Sequence, residues 1–132
     1  MLTSSGVSSI SEAGVYSPNT YFSDLSARKI SNARFRGIGS SPSNPGVTTY
    51  IDGVPQLNTN TSSIEFLDVE QIEFVRGPQS GLFGRNTLGG LININSVRPS
   101  LYDWHGGISI PIGSAGTREV RGSVTGPLTP RL

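Results

Sequence analysis

The chain has 132 residues, of which 34% are hydrophobic, and ten basic and nine acidic side chains give it a formal net charge of +1. That length allows one modest domain, and so low an apolar fraction excludes a large core. A charge near zero excludes a general electrostatic lure for nucleic acid or an acidic membrane surface, and the absence of cysteine excludes disulfides, thiolate zinc sites and iron–sulfur ligation.

Lys29 is the single lysine, so nearly all the positive charge sits on arginine. Arginine suits fixed, bidentate pairing with carboxylates, which favours enclosed ion pairs over a solvated lysine surface. The N-terminal stretch "MLTSSGVSSISEAG" has neither a positive n-region nor an apolar h-region, and no stretch approaches the roughly 18 apolar residues of a membrane helix.

Residues 1–27 are rich in serine, glycine and tyrosine without a clear period, and read as loop with one weak strand. From Lys29, "KISNARFRGIG" alternates: Ile30, Ala33, Phe35 and Ile38 stand among polar neighbours, with Arg34 and Arg36 on the face opposite Phe35. This predicts a half-buried strand ending at Gly37 and Gly39. "SSPSNPG" is loop, because two prolines and a glycine interrupt any ladder. In "VTTYIDGVPQL", Val47 to Ile51 is a β-branched and aromatic strand, and Asp52-Gly53 is the dipeptide that accepts the positive φ angles of a tight hairpin tip.

Ser62 followed by Glu65 is a helix-start signature, predicting a short helix over 62–67. Ile72, Phe74 and Val75 form a strand that Gly77-Pro78 stops. Pro78 then takes the first position of a helical turn, "PQSGLF", and Gly84 caps it in the left-handed conformation. Gly89 and Gly90 lead into "LININSV", where Ile92 and Ile94 alternate with Asn93 and Asn95, predicting one apolar and one amide-bearing face. Pro99 ends that strand. In the tail, Ile108, Ile110, Ile112, Val120 and Val124 alternate with small or polar residues around "GSAG", the dyad pattern of a barrel hairpin.

Catalytic readings of the glycine-rich stretch fail on spacing. A phosphate loop needs a lysine after its last glycine, and Lys29 is far from "GPQSGLFG"; "GIGSSP" lacks the third glycine of a dinucleotide fingerprint, and "GPQSG" has its serine one position late for a nucleophile elbow. His105 beside Asp103 and Trp104 has the elements of a general base but no second site element. Glu65, Asp68, Glu70 and Glu73 lack the glycine and alternating oxygen ligands of a calcium loop. They read as helix-start charges and strand-face partners for arginine. No cofactor is expected.

The ordered string "RGIG…VTTYIDGVPQ…VEQIEFVRGPQSGLFGRNTLGGLININSVRP" resembles the plug domain of TonB-dependent outer-membrane receptors over roughly residues 30 to 99. The motifs are Arg36-Gly37, Ile51-Asp52-Gly53, Arg76-Gly77-Pro78, Leu82-Phe83-Gly84 and Gly89-Gly90 ahead of Ile92. The resemblance implies an α+β fold: a small mixed-sheet plug with short helices over 1–100, its N-terminal part incomplete, followed over 101–132 by the first hairpin of a transmembrane β-barrel. It implies a plug inside a barrel of about 22 strands that gates uptake of a scarce ligand, most commonly a ferric siderophore. An energising TonB-type protein of the inner membrane is the implied partner, in the cell outer membrane, with no bond chemistry. Glycines would allow close backbone approach in a crowded lumen, and Arg36, Arg76 and Arg85 would pair with carboxylates of the receptor's own barrel.

The chain departs from that pattern in having no recognisable box for the energising partner. A two-strand hairpin cannot by itself span a membrane, because its edge groups would lie unpaired in hydrocarbon, so the sequence reads as a segment of a receptor. An independent β-rich module binding carbohydrate or protein, with Tyr16, Tyr21 and Trp104 as stacking faces, is the second reading. A small hydrolase using His105 is a distant third.

Overall fold

The computed structural model describes residues 9–25, 30–39, 45–57, 68–110, 112–116 and 118–128. The helix expected over 62–67 lies outside them. Internal packing divides the chain into two units, Met1–Ser96 and Val97–Leu132.

The first unit opens with a helical turn, α1 (Ile10–Gly14), and a strand, β1 (Thr20–Leu25), where the sequence reading has mostly loop. The turn is held by its cap, Glu12 N–H donating to Ser9 Oγ at 3.4 Å, and by burial of Ile10 and Ala13. A serine three residues before a glutamate is the same helix-start signature used further along. One turn of helix carries too little periodicity to stand out otherwise.

Strand β2 (Ile30–Phe35) pairs antiparallel with β1, Phe22 opposite Ala33 and Tyr21 opposite Arg34. It ends at Phe35, two residues before the expected stop at Gly37. Arg36 (φ 51°) and Gly37 (φ 82°) form a two-residue turn, and Phe35 and Ile38 exchange both backbone hydrogen bonds across it at 2.9 and 3.0 Å. Positive φ at both central positions matches the right-handed twist of the flanking strands. Arg36 is thus a turn residue, not a member of the strand face opposite Phe35.

Strands β3 (Val47–Ile51), β4 (Val54–Gln56), β5 (Val69–Arg76) and β6 (Gly90–Ser96) form one mixed sheet in the order β4-β3-β6-β5. β3 and β6 run parallel, and the other neighbours antiparallel. The β3–β4 connection is the expected tight turn, with Asp52 at φ 49° and Gly53 at φ 81°. One face of this sheet meets α1 and the β1–β2 pair in a core of Ile10, Ala33, Phe35, Val47, Ile92 and Ile94, flanked by Phe22, Ile51, Val69, Ile72 and Phe74. Phe35 and Phe74 touch edge to face, their centroids 6.3 Å apart.

Ile92 and Ile94 are buried as expected, but Leu91 on the opposite face is equally buried, at 1% exposure. The apolar and amide faces predicted for β6 are therefore not cleanly separated. The second face is covered near Leu91 by the segment between β5 and β6, and Asn93 carries its amide into a polar contact, donating to Glu73 Oε2 at 3.1 Å.

That segment departs from expectation at Pro78. Helix α2 (Ser80–Phe83) has Gln79 as its N-cap, so Pro78 precedes the helix instead of occupying its first position. The reason is a continued ladder: Gly77 N–H donates to Gly89 O at 2.8 Å and Gln79 N–H to Thr87 O at 3.0 Å. Pro78 falls at the alternate position, where no donor is required. Gly84 returns its N–H to Ser80 O at 3.0 Å, yet at φ 74° and ψ −148° it lies outside the left-handed helical region expected of it.

In the second unit β7 (His105–Ser109) pairs antiparallel with β8 (Arg121–Thr125). Ser114–Gly116, within the expected turn, forms a short 3-10 helix. Ile108 lies opposite Gly122 and Val124 opposite Gly106, which places Ile108 and Val124 on one face. Ile110, Ile112 and Val120 fall outside the two strands, Ile112 making an isolated bridge to Arg118. All five apolar side chains are exposed.

Candidate functional site

Two of the three expected arginines are brought to one place. Arg36 sits at the tip of the hairpin that follows β2, and its backbone N–H donates to Asn19 O at 3.0 Å. Arg76 ends β5 opposite Gly90, and its guanidinium Nη1 donates to Pro18 O at 2.6 Å. Both therefore hold adjacent residues of the turn between α1 and β1, where Asn19 itself takes φ 59°. Each side chain is exposed, and neither has a carboxylate partner among the described residues. A guanidinium bonded to one carbonyl keeps most of its five donors for other acceptors.

Gly90 lets these elements approach. Its φ is +136°, and a Cβ there would collide with the Val75 carbonyl and lie 2.8 Å from Phe35 Cδ2 and 3.1 Å from Arg76 Cα. Only a glycine admits the backbone of β5 and the ring of Phe35 at that distance.

Arg85 is exposed in the turn after α2 and shares no hydrogen bond with the Pro18–Asn19 turn. The segment that carries it is braced from beneath: Tyr50 Oη donates to Phe83 O at 2.9 Å, Thr48 Oγ1 to Asn86 O at 2.7 Å, and Thr87 Oγ1 to Gly84 O at 2.7 Å. Thr48 and Thr87 are fully buried and Tyr50 is 8% exposed, with the Tyr50 ring edge-to-face on Phe83 at 5.3 Å. The bracing hydroxyls were invisible to motif reading. Their one sequence signal is a strand, "VTTYI", with hydroxyls at alternate positions.

The other singled-out groups do not assemble into chemistry. His105 opens β7, exposed and opposite Thr125. Asp68 and Glu70 are exposed, while Glu73 accepts from Gln71 Nε2 at 2.8 Å and from Asn93 Nδ2. Tyr16 and Tyr21 are exposed in the first unit. In the second, Trp104 lies against Gly126, where an added Cβ would meet its ring.

Known proteins resemble this chain in sequence and in fold. The model of the TonB-dependent receptor plug domain matches residues 1–91. The pesticin receptor of Yersinia pestis is 45% identical over 83 residues, covering 63% of this chain and 11% of that protein. The ferrioxamine B receptor of Salmonella typhimurium is 31% identical over 128 residues, covering 93% and 18%. The crystal structure of the ferric yersiniabactin uptake receptor of Yersinia pestis superposes with a TM-score of 0.86 at 29% identity, over 96% of this chain and 20% of that one. The chain thus spans about a tenth to a fifth of the length of these proteins, which are receptors by name. A family model that matches residues 1–91, well over half of the chain, places it in the TonB-dependent receptor plug domain family.

Proposed function

We propose that this chain is the plug segment of an outer-membrane receptor that gates energised uptake of a scarce ligand, a ferric siderophore, and performs no bond chemistry itself. Residues 1–100 act as the plug and residues 101–132 as the first hairpin of the surrounding barrel. The observation that carries this reading is the convergence of Arg36 and Arg76 on one turn at the end of the plug sheet, both exposed and without an acid among the described residues. Carboxylates on the inner barrel wall would complete those pairs, with Arg85 a third, separate contact. A TonB-type protein of the inner membrane supplies the energy.

The names of the relatives support the cargo: two are receptors for ferrioxamine B and ferric yersiniabactin. The test is uptake of radiolabelled iron, presented as ferrioxamine B or ferric yersiniabactin, by iron-starved cells producing the full-length receptor with or without the energising protein. Uptake of either that requires the energising protein supports the reading; uptake of neither sinks the ferric-siderophore assignment. Arg76→Ala in that receptor should leave an uncompensated acid on the barrel. The cost is about 3–5 kcal/mol for a fully buried pair and far less where water reaches it. Uptake and thermal stability both equal to wild type would remove Arg76 from the barrel contact.

A further inference from the structure

The end of β6 is closed by a side chain instead of a backbone rung. In the parallel pairing of β3 and β6, Asp52 N–H donates to Ile94 O at 2.9 Å. The next rung of a parallel ladder would take the Ser96 N–H to the backbone carbonyl of Asp52, but Asp52 has already turned to φ 49° to enter the hairpin. Its carboxylate substitutes. Ser96 N–H donates to Oδ1 at 2.8 Å and Ser96 Oγ donates to Oδ2 at 2.8 Å. On the other side of β6 the ladder is also irregular at this point, with a register shift between Val69 and Gln71 opposite Ser96 and Asn95.

We propose that Asp52 is a release latch for the exit of β6: its two hydrogen bonds to Ser96 hold the strand end closed, and breaking them frees Asn95 onward while the inner rungs persist. Ser96 is the last residue of the first unit, so the latch governs where the chain leaves the plug sheet. The contrast along one strand supports this. Leu91, Ile92 and Ile94 are buried at 1–3% exposure, whereas both latch hydrogen bonds are exposed to water. Ser96 also pairs with Val69 of β5 beyond the register shift, and a strand end held largely by solvent-exposed bonds opens locally at lower cost than the core. Nothing in the latch depends on the transport reading.

The test is amide hydrogen exchange on the full chain in detergent micelles, comparing wild type with Asp52→Gly, Asp52→Asn and Ser96→Ala. Glycine keeps the positive φ and deletes both bonds. Asparagine keeps the turn and an oxygen able to accept from the Ser96 N–H, and alanine at 96 removes the hydroxyl bond alone. Ser96 exchange should accelerate roughly tenfold in Asp52→Gly, the loss of a charge-assisted hydrogen bond. Asp52→Asn and Ser96→Ala should show intermediate increases, while Leu91 and Ile92 amides stay as in wild type. Chymotryptic cleavage after Leu101 and Tyr102 should quicken in the same order. Unchanged Ser96 exchange in Asp52→Gly overturns the latch. So does acceleration at Ser96 matched by Leu91 and Ile92, or failure of Asp52→Gly to fold, since either makes Asp52 a global stabiliser.

Discussion

Strand β6 and the segment from β7 to Ile112 share an alternating isoleucine pattern and meet opposite fates. In β6, Ile92 and Ile94 are buried at 1% and 3% exposure; in β7 Ile108 is 79% exposed, and Val124 on its partner strand is 75% exposed. The difference lies in what surrounds each strand. β6 has a neighbour on either side, with α1 and the β1–β2 pair over one face and the braced 83–87 segment over the other. The second unit is a two-stranded hairpin whose described side chains are all exposed or half-buried. Alternation specifies that a strand has two faces; it does not specify a cover for either.

The comparison can be broken most drastically by separating its halves. An apolar hairpin with open edges is a template for pairing with another chain. The full chain should therefore sediment as an associated species in plain buffer, whereas a version ending at Ser100 should sediment as a monomer. A full-length monomer with an ordered hairpin would show that the tail is not a barrel strand pair.

Next in size is a glycine in each unit. Gly90→Ala introduces a Cβ into the Val75 carbonyl and the Phe35 ring at a backbone φ of +136°. Strain and overpacking together should cost about 3 kcal/mol or more, measured as the loss of thermal unfolding temperature or of folding altogether. Gly107→Ala meets only Ser123 Oγ at 4.0 Å and should be close to neutral. Equal costs would mean that the packing around Gly90 is not as tight as the structure has it.

Truncation of the isoleucines sharpens the contrast on a smaller scale. Ile92→Ala removes a fully buried side chain and should cost about 2–5 kcal/mol, read from denaturant unfolding. Ile108→Ala should change the stability of the chain by less than about 0.5 kcal/mol. In the complete receptor in a membrane, a destabilisation by Ile108→Ala that is absent from the isolated chain would mark the lipid-facing side of the hairpin.

The smallest effects are electrostatic. Hydrogen bonds from the Ser96 backbone and then its side chain hold Asp52 below the ordinary aspartate pKa, and in the second unit the Arg121 hydrogen bond does the same for Glu119. A carboxyl whose folded pKa is depressed contributes stability that is complete above its unfolded value and is lost as pH falls through the folded one. Ser96 protection should therefore stay flat through neutral pH and fall only in acid, and Asp52→Asn should abolish that fall. Salt should separate the two sites. Asp52 is held by neutral donors, whereas the Glu119–Arg121 contact at 2.6 Å is ionic and screened. Equal salt sensitivity of the two carboxyls, followed by nuclear magnetic resonance titration, would refute that distinction.

Much of the first unit was legible because its signals are local. The Asp52-Gly53 turn, the stop after Arg76 and the glycine entry to β6 each follow from what a dipeptide can do at positive φ or without an N–H. The motif order also carried the family. What sequence could not decide depends on partners distant in the chain. Arg36 looked like a strand residue because "RFRG" alternates, yet the tight closure between Phe35 and Ile38 takes it out of the ladder. Pro78 looked like a helix start, yet pairing of Gly77 and Gln79 with residues 87–89 delays the helix to Ser80. The meeting of Arg36 and Arg76 at Pro18 and Asn19, and the closing of β6 by Asp52, join residues 17 to 58 positions apart. Backbone preference sets which turns and strands are available; which of them meet, and which apolar faces are buried, is settled by packing and hydrogen bonding between segments that no local pattern records.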